Sequence, residues 1–263
     1  MRDEFWLRKL RQLGKKFGYR LINGDSPEAL FAELMKFRDG GESAAKSKEH
    51  EFLAYVLRNV DHSKAQLCQD LFALFMTGGK RGGYFVEFGA TNGMLLSNTH
   101  LLETEYGWNG ILAEPAKSWH EALHKNRHCA IDERCVWKKS GEQLVFNEVN
   151  EGELSTIAEF SESDGHQQSR RNGTRYMVET VSLNELLQDH GAPGVIDYMS
   201  VDTEGSEFEI LSHFDFSRHD IRMISVEHNY TPERERLHVL LKSKGYARLF
   251  ERFSQWDDWY VKP

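Results

Sequence analysis

The 263-residue chain has few cysteines and no long apolar segment. Three cysteines are too few for a disulfide framework and suit a reducing compartment, so Cys129 and Cys135 are expected to remain thiols. No apolar run approaches the ~20 residues of a membrane span. The N-terminus also lacks the apolar core of a secretory signal. These absences predict a cytoplasmic protein without a transmembrane helix.

Basic clusters and phosphate-binding glycine motifs are missing as well. The net charge is −8, and the acidic excess lies beyond residue 80, which argues against nucleic acid as the main partner because phosphate binding needs clustered lysine and arginine. The glycines at 78–83 precede a predicted strand, and no Lys-Ser/Thr pair opens a helix after them, so they do not form a P-loop. With 40% hydrophobic and 28% charged residues, the composition is that of an ordinary globular protein.

The chain does contain a regular alternation of strands and helices from Tyr84 onward. This alternation predicts an α/β domain over residues 81–263, with a parallel sheet covered by helices on both faces. The polar segment Glu151–Arg175 predicts a long mobile loop or lid over the site. Strands are predicted at 84–88, 110–113, 128–131, 134–137, 144–149, 176–181, 195–201 and 221–226, with a closing antiparallel hairpin at 246–250 and 259–262, and helices at 98–106, 117–126, 183–189, 206–213 and 234–244.

Three arginines in the predicted lid have two interpretations. Arg170, Arg171 and Arg175 either steer an acidic or phosphorylated acceptor towards the site or are simply solvated charges. The pattern of the sequence leaves both interpretations open.

Residues 1–80 are predicted to form a helical extension. Trp6, Leu10, Leu13 and Phe17 share one face of a helix over residues 1–20, and lysine and arginine occupy most of the rest. Such a helix suits the anionic inner face of a membrane or a partner protein. It equally suits packing on its own domain or on a second copy in a homo-oligomer.

A glycine turn follows the first predicted strand of the domain. Glu87 lies near the end of that strand, and Gly89-Ala90-Thr91-Asn92-Gly93 allows close approach of a ligand to the backbone. The G-x-x-x-G spacing differs from the dinucleotide pattern G-x-G-x-x-G, which favours a ligand without a diphosphate. S-adenosylmethionine fits, because its positive charges would lie among carboxylates. Glu114, at the next strand end, is the candidate for binding ribose or, alternatively, a helix cap before Pro115.

Polar residues also follow two later strands. Asp202 and Glu204 lie on the same side of the chain by alternation, and Glu227 and His228 end the next strand. Asp202, Glu227 and His228 would make an oxygen and nitrogen set that can hold a divalent cation. Alternatively, Asp202 or His228, with Glu204 nearby, acts as the general base that takes a proton from an attacking hydroxyl.

These residues together resemble the FkbM family of S-adenosylmethionine-dependent O-methyltransferases. The most specific part of the resemblance is the VDTEGSE stretch, because it follows the glycine turn in the family's order. The resemblance covers roughly residues 80–263. The matching stretches are FVEFGATNG at 85–93, LSNTHLLE at 96–103, GILAEP at 110–115, ELSTI at 153–157 and SVDTEGSEFEIL at 200–211.

The resemblance implies a Rossmann-like class I methyltransferase fold, with a mostly parallel seven-stranded sheet whose last strand is reversed. It implies that Glu87 and the glycine turn hold the methionine part of the cofactor, and that Asn98 approaches the methionine carboxylate. It further implies that Glu114, followed by Pro115, binds the ribose. Asp132 and Cys135 would lie at the adenine edge.

The activity that the resemblance implies is methylation of a sugar hydroxyl in a natural-product glycoside or a cell-surface glycan. Related sugar methyltransferases bind magnesium at the ends of the fourth and fifth strands, although they use paired aspartates where this chain has Glu227-His228. The alternatives are a non-catalytic cofactor-binding or glycan-binding subunit of a glycan assembly complex and an NAD-dependent oxidoreductase. The missing G-x-G-x-x-G turn counts against the oxidoreductase.

Overall fold

The structure is a computed structural model that describes residues 48–149, 154–161 and 167–263. The predicted basic helix over residues 1–20 lies outside the described residues. Within the described part of the chain, no helix combines the length and the apolar character that crossing a membrane requires.

Helices and strands alternate through the described residues. The helices are α1 (Lys48–Asn59), α2 (Gln69–Met76), α3 (His100–Thr104), α4 (Lys117–Asn126), α5 (Gln167–Arg170), α6 (Leu183–Asp189), α7 (Glu207–Ser212) and α8 (Glu233–Ser243). The strands are β1 (Tyr84–Phe88), β2 (Asn109–Ala113), β3 (Ala130–Asp132), β4 (Cys135–Trp137), β5 (Gln143–Glu148), β6 (Thr156–Ile157), β7 (Thr174–Ser182), β8 (Val195–Ile196), β9 (Tyr198–Val201), β10 (Asp220–Ile221), β11 (Met223–Glu227), β12 (Ala247–Leu249) and β13 (Asp257–Val261).

Seven strands form the main sheet in the order β12-β13-β11-β9-β1-β2-β3. β13 is antiparallel to both of its neighbours, whereas the other neighbouring pairs are parallel. The prediction of a Rossmann-like, mostly parallel sheet with a reversed last strand is therefore confirmed. The strand order reverses between β1 and β9, and a ligand crevice is expected outside the carboxyl ends of strands at such a switch point.

The central strands are mainly apolar, as is typical of a parallel sheet with helices on both faces. Phe85 and Tyr198 belong to the core on one face, and Val86 and Met199 belong to the core on the other. The strand predicted over 195–201 is interrupted at Asp197, whose carboxylate accepts hydrogen bonds from Lys80 Nζ at 2.7 Å and from the Tyr84 N–H at 2.9 Å.

Helices α1 and α2 pack on one face of this sheet. The Phe52 ring of α1 lies 4.6 Å from the Phe250 ring and 5.8 Å from the Trp259 ring. Phe72 of α2 stacks on Trp259 at 4.9 Å. Residues 48–76 of the predicted N-terminal extension thus share the core of the sheet that follows them.

A second sheet is inserted after β3. Its order is β4-β7-β5-β6, and β5, β6 and β7 pair antiparallel. The sequence predicted one inserted strand and a mobile loop over 151–175; instead, the described residues of that segment form β6, a 3-10 turn, α5 and the start of β7. The prediction missed this sheet because only its inner face is apolar, with Phe146, Ile157 and Val178 buried there.

Candidate active site

One cavity of about 460 Å³ opens at the carboxyl ends of the central strands. Glu87, Glu114, Asp202 and Glu227, which follow or end four different strands, all line this cavity. The four strand ends that carry acids in the sequence therefore meet, as expected at a switch point of the sheet. The inserted sheet closes one side of the cavity through Phe146 and Ile157.

Gly89 permits the closest approach between two of these strand ends. Its φ is +70°, and a Cβ atom there would lie 2.2 Å from the carbonyl oxygen of Asp202. Only glycine satisfies both conditions. Gly89 and Thr91 line the cavity, whereas Ala90 is buried in the core behind it.

The rest of the glycine turn shapes the loop and does not line the cavity. The Asn92 side chain accepts hydrogen bonds from the N–H groups of Met94 and Leu95. Gly93 has φ +78°, and a Cβ atom there would meet Arg127 Cγ at 2.5 Å. Asn92 and Gly93 thus act on loop geometry, although the sequence predicted that they contact the cofactor.

Glu87 is buried and organises the segment after the turn. Its carboxylate accepts hydrogen bonds from the Asn98 N–H at 2.6 Å and from the hydroxyls of Ser97 and Thr99. Burial raises the pKa of Glu87, and Arg127, 3.7 Å away, opposes that shift. The carboxylate therefore holds the Ser97–Thr99 segment in place against the strand.

Arg127 is a buried arginine that the sequence analysis missed. Its guanidinium donates hydrogen bonds to the Gly93 carbonyl, to the Ser97 and Thr99 hydroxyls and to Glu103. Arg127 comes directly after α4, where an arginine is ordinarily solvated, so no local pattern marks it as buried.

Glu114 connects the glycine turn to the start of α4. Its Oε2 atom accepts from the Thr91 N–H and its Oε1 atom from the Ala116 N–H, both at 2.8 Å. Burial raises the pKa of Glu114 to about 7. Glu114 does not cap α4, whose N-cap residue is Ala116, and with Pro115 it lines the cavity.

Asn98 and the two predicted adenine-edge residues lie in different environments. The Asn98 amide donates to Ser200 Oγ at 2.9 Å, and its Oδ1 atom is buried with no hydrogen-bond partner among the described residues. Cys135 lines the cavity. Asp132, in contrast, does not line it, because its carboxylate is bound by the side chains of Arg134 and His190.

Asp202, Glu204 and Glu227 form an acid cluster at the floor of the cavity. One carboxylate oxygen from each residue lies within 4.8 Å of the others. Desolvation and repulsion from neighbouring carboxylates raise the pKa values of Asp202 and Glu227 well above their ordinary range. The proximity of these two groups means that they titrate as a pair.

Arg170 of the insert reaches this acid cluster. Its side chain is 0% exposed, and its Nη2 atom donates to Glu204 Oε2 at 2.7 Å. Its Nε atom donates to the Leu154 carbonyl at 2.8 Å. Arg170 is thus a buried ion-pair partner, unlike both sequence interpretations, whereas Arg171 and Arg175 are exposed.

His228 lies apart from the acid cluster. Its Nδ1 atom accepts the Tyr230 N–H at 3.0 Å, and its Nε2 atom lies 3.7 Å from Asp258 Oδ1. Successive strand residues point to opposite faces, so a Glu227 that faces the cavity turns His228 away. His228, which the sequence predicted both as a metal ligand and as a possible base, therefore lies outside the cluster, whereas Glu204 belongs to it.

The profile of the methyltransferase FkbM domain matches residues 87–260 of the chain, which include every carboxylate of the cavity. The chain belongs to the FkbM methyltransferase family. No curated protein sequence matches it.

Several solved methyltransferase structures align with this FkbM-family member at low similarity. Precorrin-6y C5,15-methyltransferase from Geobacter metallireducens aligns with a TM-score of 0.39 and 10% identity, over 73% of this chain and 85% of that one. Ribosomal protein L11 methylase from Lactobacillus delbrueckii subsp. bulgaricus aligns with a TM-score of 0.37 and 9% identity, over 75% of this chain and 78% of that one. A methyltransferase from Pyrococcus furiosus aligns with a TM-score of 0.35 and 10% identity, over 75% of this chain and 82% of that one.

Replacing Arg170 tests whether the insert is held to the acid cluster by this ion pair. We expect Arg170→Ala to lower the free energy of unfolding by about 3–5 kcal/mol, because it leaves the buried Glu204 carboxylate without this partner. Arg171→Ala, a neighbouring exposed arginine, is the matched control and should change stability by less than about 0.5 kcal/mol. Urea unfolding of both variants makes the comparison, and equal midpoints would contradict the anchoring role.

Proposed function

We propose that this FkbM-family methyltransferase transfers a methyl group from S-adenosylmethionine to a hydroxyl of a sugar in a glycoside or glycan. The observation that carries the proposal is the convergence of Glu87, Glu114, Asp202 and Glu227 on one cavity beside the Gly89 turn. Such a cavity offers a site for a positively charged donor next to carboxylates that can accept a proton.

The residues of the cavity fit the proposed cofactor. Asn98 Oδ1 is a buried acceptor with no partner among the described residues, and it suits the amino group of the methionine part. The Glu114 carboxylate suits the ribose hydroxyls, and Gly89 lines the same cavity. When bound there, S-adenosylmethionine would supply an electrophilic methyl group on a sulfonium.

The chain's own contribution to the chemistry lies in proton transfer and positioning. Burial and repulsion between neighbouring carboxylates raise the pKa values of Asp202 and Glu227, so the pair binds a proton more tightly than ordinary carboxylates do. One of these carboxylates would take the proton from the attacking acceptor hydroxyl. The insert, held by Arg170, would keep water from the aligned reactants.

As the alternative to proton transfer to a free carboxylate, we propose that this acid cluster binds a divalent cation, which would acidify the acceptor hydroxyl. Three carboxylates within 4.8 Å form the oxygen donor set that a hard cation such as magnesium prefers. Glu204 already pairs with Arg170, so Asp202 and Glu227 would be the main ligands. His228 does not fit this role, because its nitrogens face Tyr230 and Asp258.

Asp202→Asn tests the base. We expect a loss of roughly 10²–10⁴-fold in methyl transfer, because the amide cannot accept the hydroxyl proton. Binding of S-adenosylhomocysteine, measured by calorimetry, should persist. Transfer is measured from labelled S-adenosylmethionine onto a panel of methyl rhamnosides and fucosides, with the exposed Glu235→Gln as the matched control.

Two outcomes of that experiment would count against the proposal. Unimpaired transfer by Asp202→Asn would remove Asp202 from the mechanism. Cofactor binding by the wild type without transfer to any acceptor of the panel would favour a non-catalytic cofactor-binding subunit instead.

Glu114 predicts a pH dependence of cofactor binding. The pKa of Glu114 is about 7 in the folded protein, above that of a glutamate in the unfolded chain, so the protonated side chain dominates below pH 7. The contribution of Glu114 to the free energy of unfolding is therefore lost as the pH rises through 7. Ribose hydroxyls need the carboxylate as acceptor. We therefore expect S-adenosylhomocysteine to bind about tenfold more tightly at pH 8 than at pH 6.

The matched variant for this pH dependence is Glu114→Gln, which keeps the size of the side chain but does not titrate. Calorimetry at the two pH values should show weaker binding by this variant and no change between them. A variant that keeps the wild-type pH dependence would show that another group is responsible.

Magnesium titration tests the proposed cation. Because the ion competes with protons for Asp202 and Glu227, we expect tighter binding at pH 8 than at pH 6. Calorimetry with magnesium chloride on EDTA-treated protein provides the measurement, with Asp202→Asn losing the signal and Glu235→Gln keeping it. The absence of binding heat from the wild-type protein at both pH values would contradict the proposed cation site.

A further inference from the structure

The cavity has a second wall that takes no part in the proposed cofactor site. We call Gln66, Asn229, Tyr230 and Trp256 the acceptor wall; all four line the cavity. They form one connected group, because Trp256 Nε1 donates to Gln66 Oε1 at 3.2 Å and the Trp256 carbonyl accepts the Asn229 N–H at 3.2 Å. The Asn229 amide reaches Glu204 Oε2 at 3.4 Å, so the wall adjoins the acid cluster.

Tyr230 is the exposed member of the acceptor wall. It is 64% exposed at the edge of the cavity, while the other three members are half-buried. An aromatic ring presents a negative face that C–H groups can contact. The C–H-rich face of a pyranose ring is a partner of this kind, and the amides of Gln66 and Asn229 can bind hydroxyls at its rim.

The backbone that carries Tyr230 is held in an unfavourable conformation. Asn229 and Tyr230 have φ values of 45° and 56°, which non-glycine residues rarely adopt. The buried His228 stabilises this turn, since its Nδ1 accepts the Tyr230 N–H at 3.0 Å and its ring lies 5.4 Å from the tyrosine ring. Strain that is held by a buried network is typical of ligand-binding positions.

The charge of the cavity restricts what enters it. Among the described residues, no lysine or arginine lines the cavity, but five acidic residues do: Glu87, Glu114, Asp202, Glu204 and Glu227. A phosphate or carboxylate on the reacting sugar would meet these acids without a lining cation to balance it. An uncharged polyhydroxyl ring meets no such penalty.

We propose that Tyr230 is the platform on which an uncharged pyranose ring of the acceptor stacks, with Gln66 and Asn229 binding its hydroxyls and His228 positioning the tyrosine. This inference rests on the proposed function and names its acceptor subsite. It assigns His228 to positioning and puts the hydroxyl to be methylated beside the acid cluster that the wall adjoins.

The test measures binding of small glycosides to protein that is saturated with S-adenosylhomocysteine. The probes are methyl α-rhamnopyranoside, methyl α-fucopyranoside and methyl α-glucopyranoside, with the glucuronate of the last as the charged counterpart. Saturation-transfer NMR gives the affinity of each. We expect Tyr230→Ala to weaken binding of the neutral glycosides about tenfold, through loss of the ring face.

Three comparisons make the test specific. Tyr230→Phe, which keeps the ring, should recover binding, and Met177→Ala removes a comparably exposed apolar side chain outside the cavity. The glucuronate should bind about tenfold more weakly than its neutral counterpart. Thermal unfolding confirms that each variant is folded.

The inference is overturned if Tyr230→Ala binds the glycosides like the wild type, if the glucuronate binds equally well, or if none of the glycosides binds the cofactor-loaded wild type. These results would leave the proposed methyl transfer standing with a different acceptor. Failure of the wild type to bind S-adenosylhomocysteine would instead overturn the proposed function itself.

Discussion

The close contact between Gly89 and the Asp202 carbonyl is the constraint on which the site depends. With a Cβ atom 2.2 Å from that oxygen, any other residue would push the ends of β1 and β9 apart. The contact places the glycine turn directly against the acid cluster, at the switch point of the sheet. It therefore explains why a cofactor bound on the turn and a proton acceptor after β9 would be neighbours, even though more than a hundred residues separate them in the chain.

Two buried arginines form ion pairs with two of the acids of the cavity and leave the others without a cation partner among the described residues. Arg127 lies beside Glu87, and Arg170 pairs with Glu204, so each of these carboxylates has a cation within 4 Å. Asp202 and Glu227 have no ion-pair partner among the described residues, and their pKa values are raised. A buried acid without a cation nearby holds its proton more tightly. Arginine thus balances Glu87 and Glu204, whereas Asp202, Glu227 and Glu114 have no cation at ion-pair distance among the described residues, and of these three Asp202 and Glu227 are the adjacent pair that we propose for proton transfer.

Much of the fold follows from local patterns, whereas the site depends partly on distant contacts. The apolar strands and the glycine turn mark the sheet and its switch point, and the predicted bounds of α4 and α6 agree with the structure. Three strands of the inserted sheet lie close to predicted strands, whereas β6 and the pairing of all four into a separate sheet were not predicted, because local patterns do not show which strands pair. Arg127 and Arg170 lie in polar segments, and their partners are distant in sequence. His228 is different, because strict alternation after Glu227 already places it on the opposite side of the strand.

Several non-glycine residues that line the cavity have strained backbone conformations, which is independent support for a ligand-binding site. Thr91, Leu96, Glu204, Asn229 and Tyr230 all line the cavity and all have positive φ values. Each such conformation costs of order 1–3 kcal/mol and persists only where surrounding contacts hold it. Here those contacts are the Glu114 carboxylate for Thr91 and the His228 ring for Tyr230. The buried polar groups beside the cavity therefore stabilise the loops that would touch the ligands, and the stable sheet beneath supports the unfavourable geometry above it.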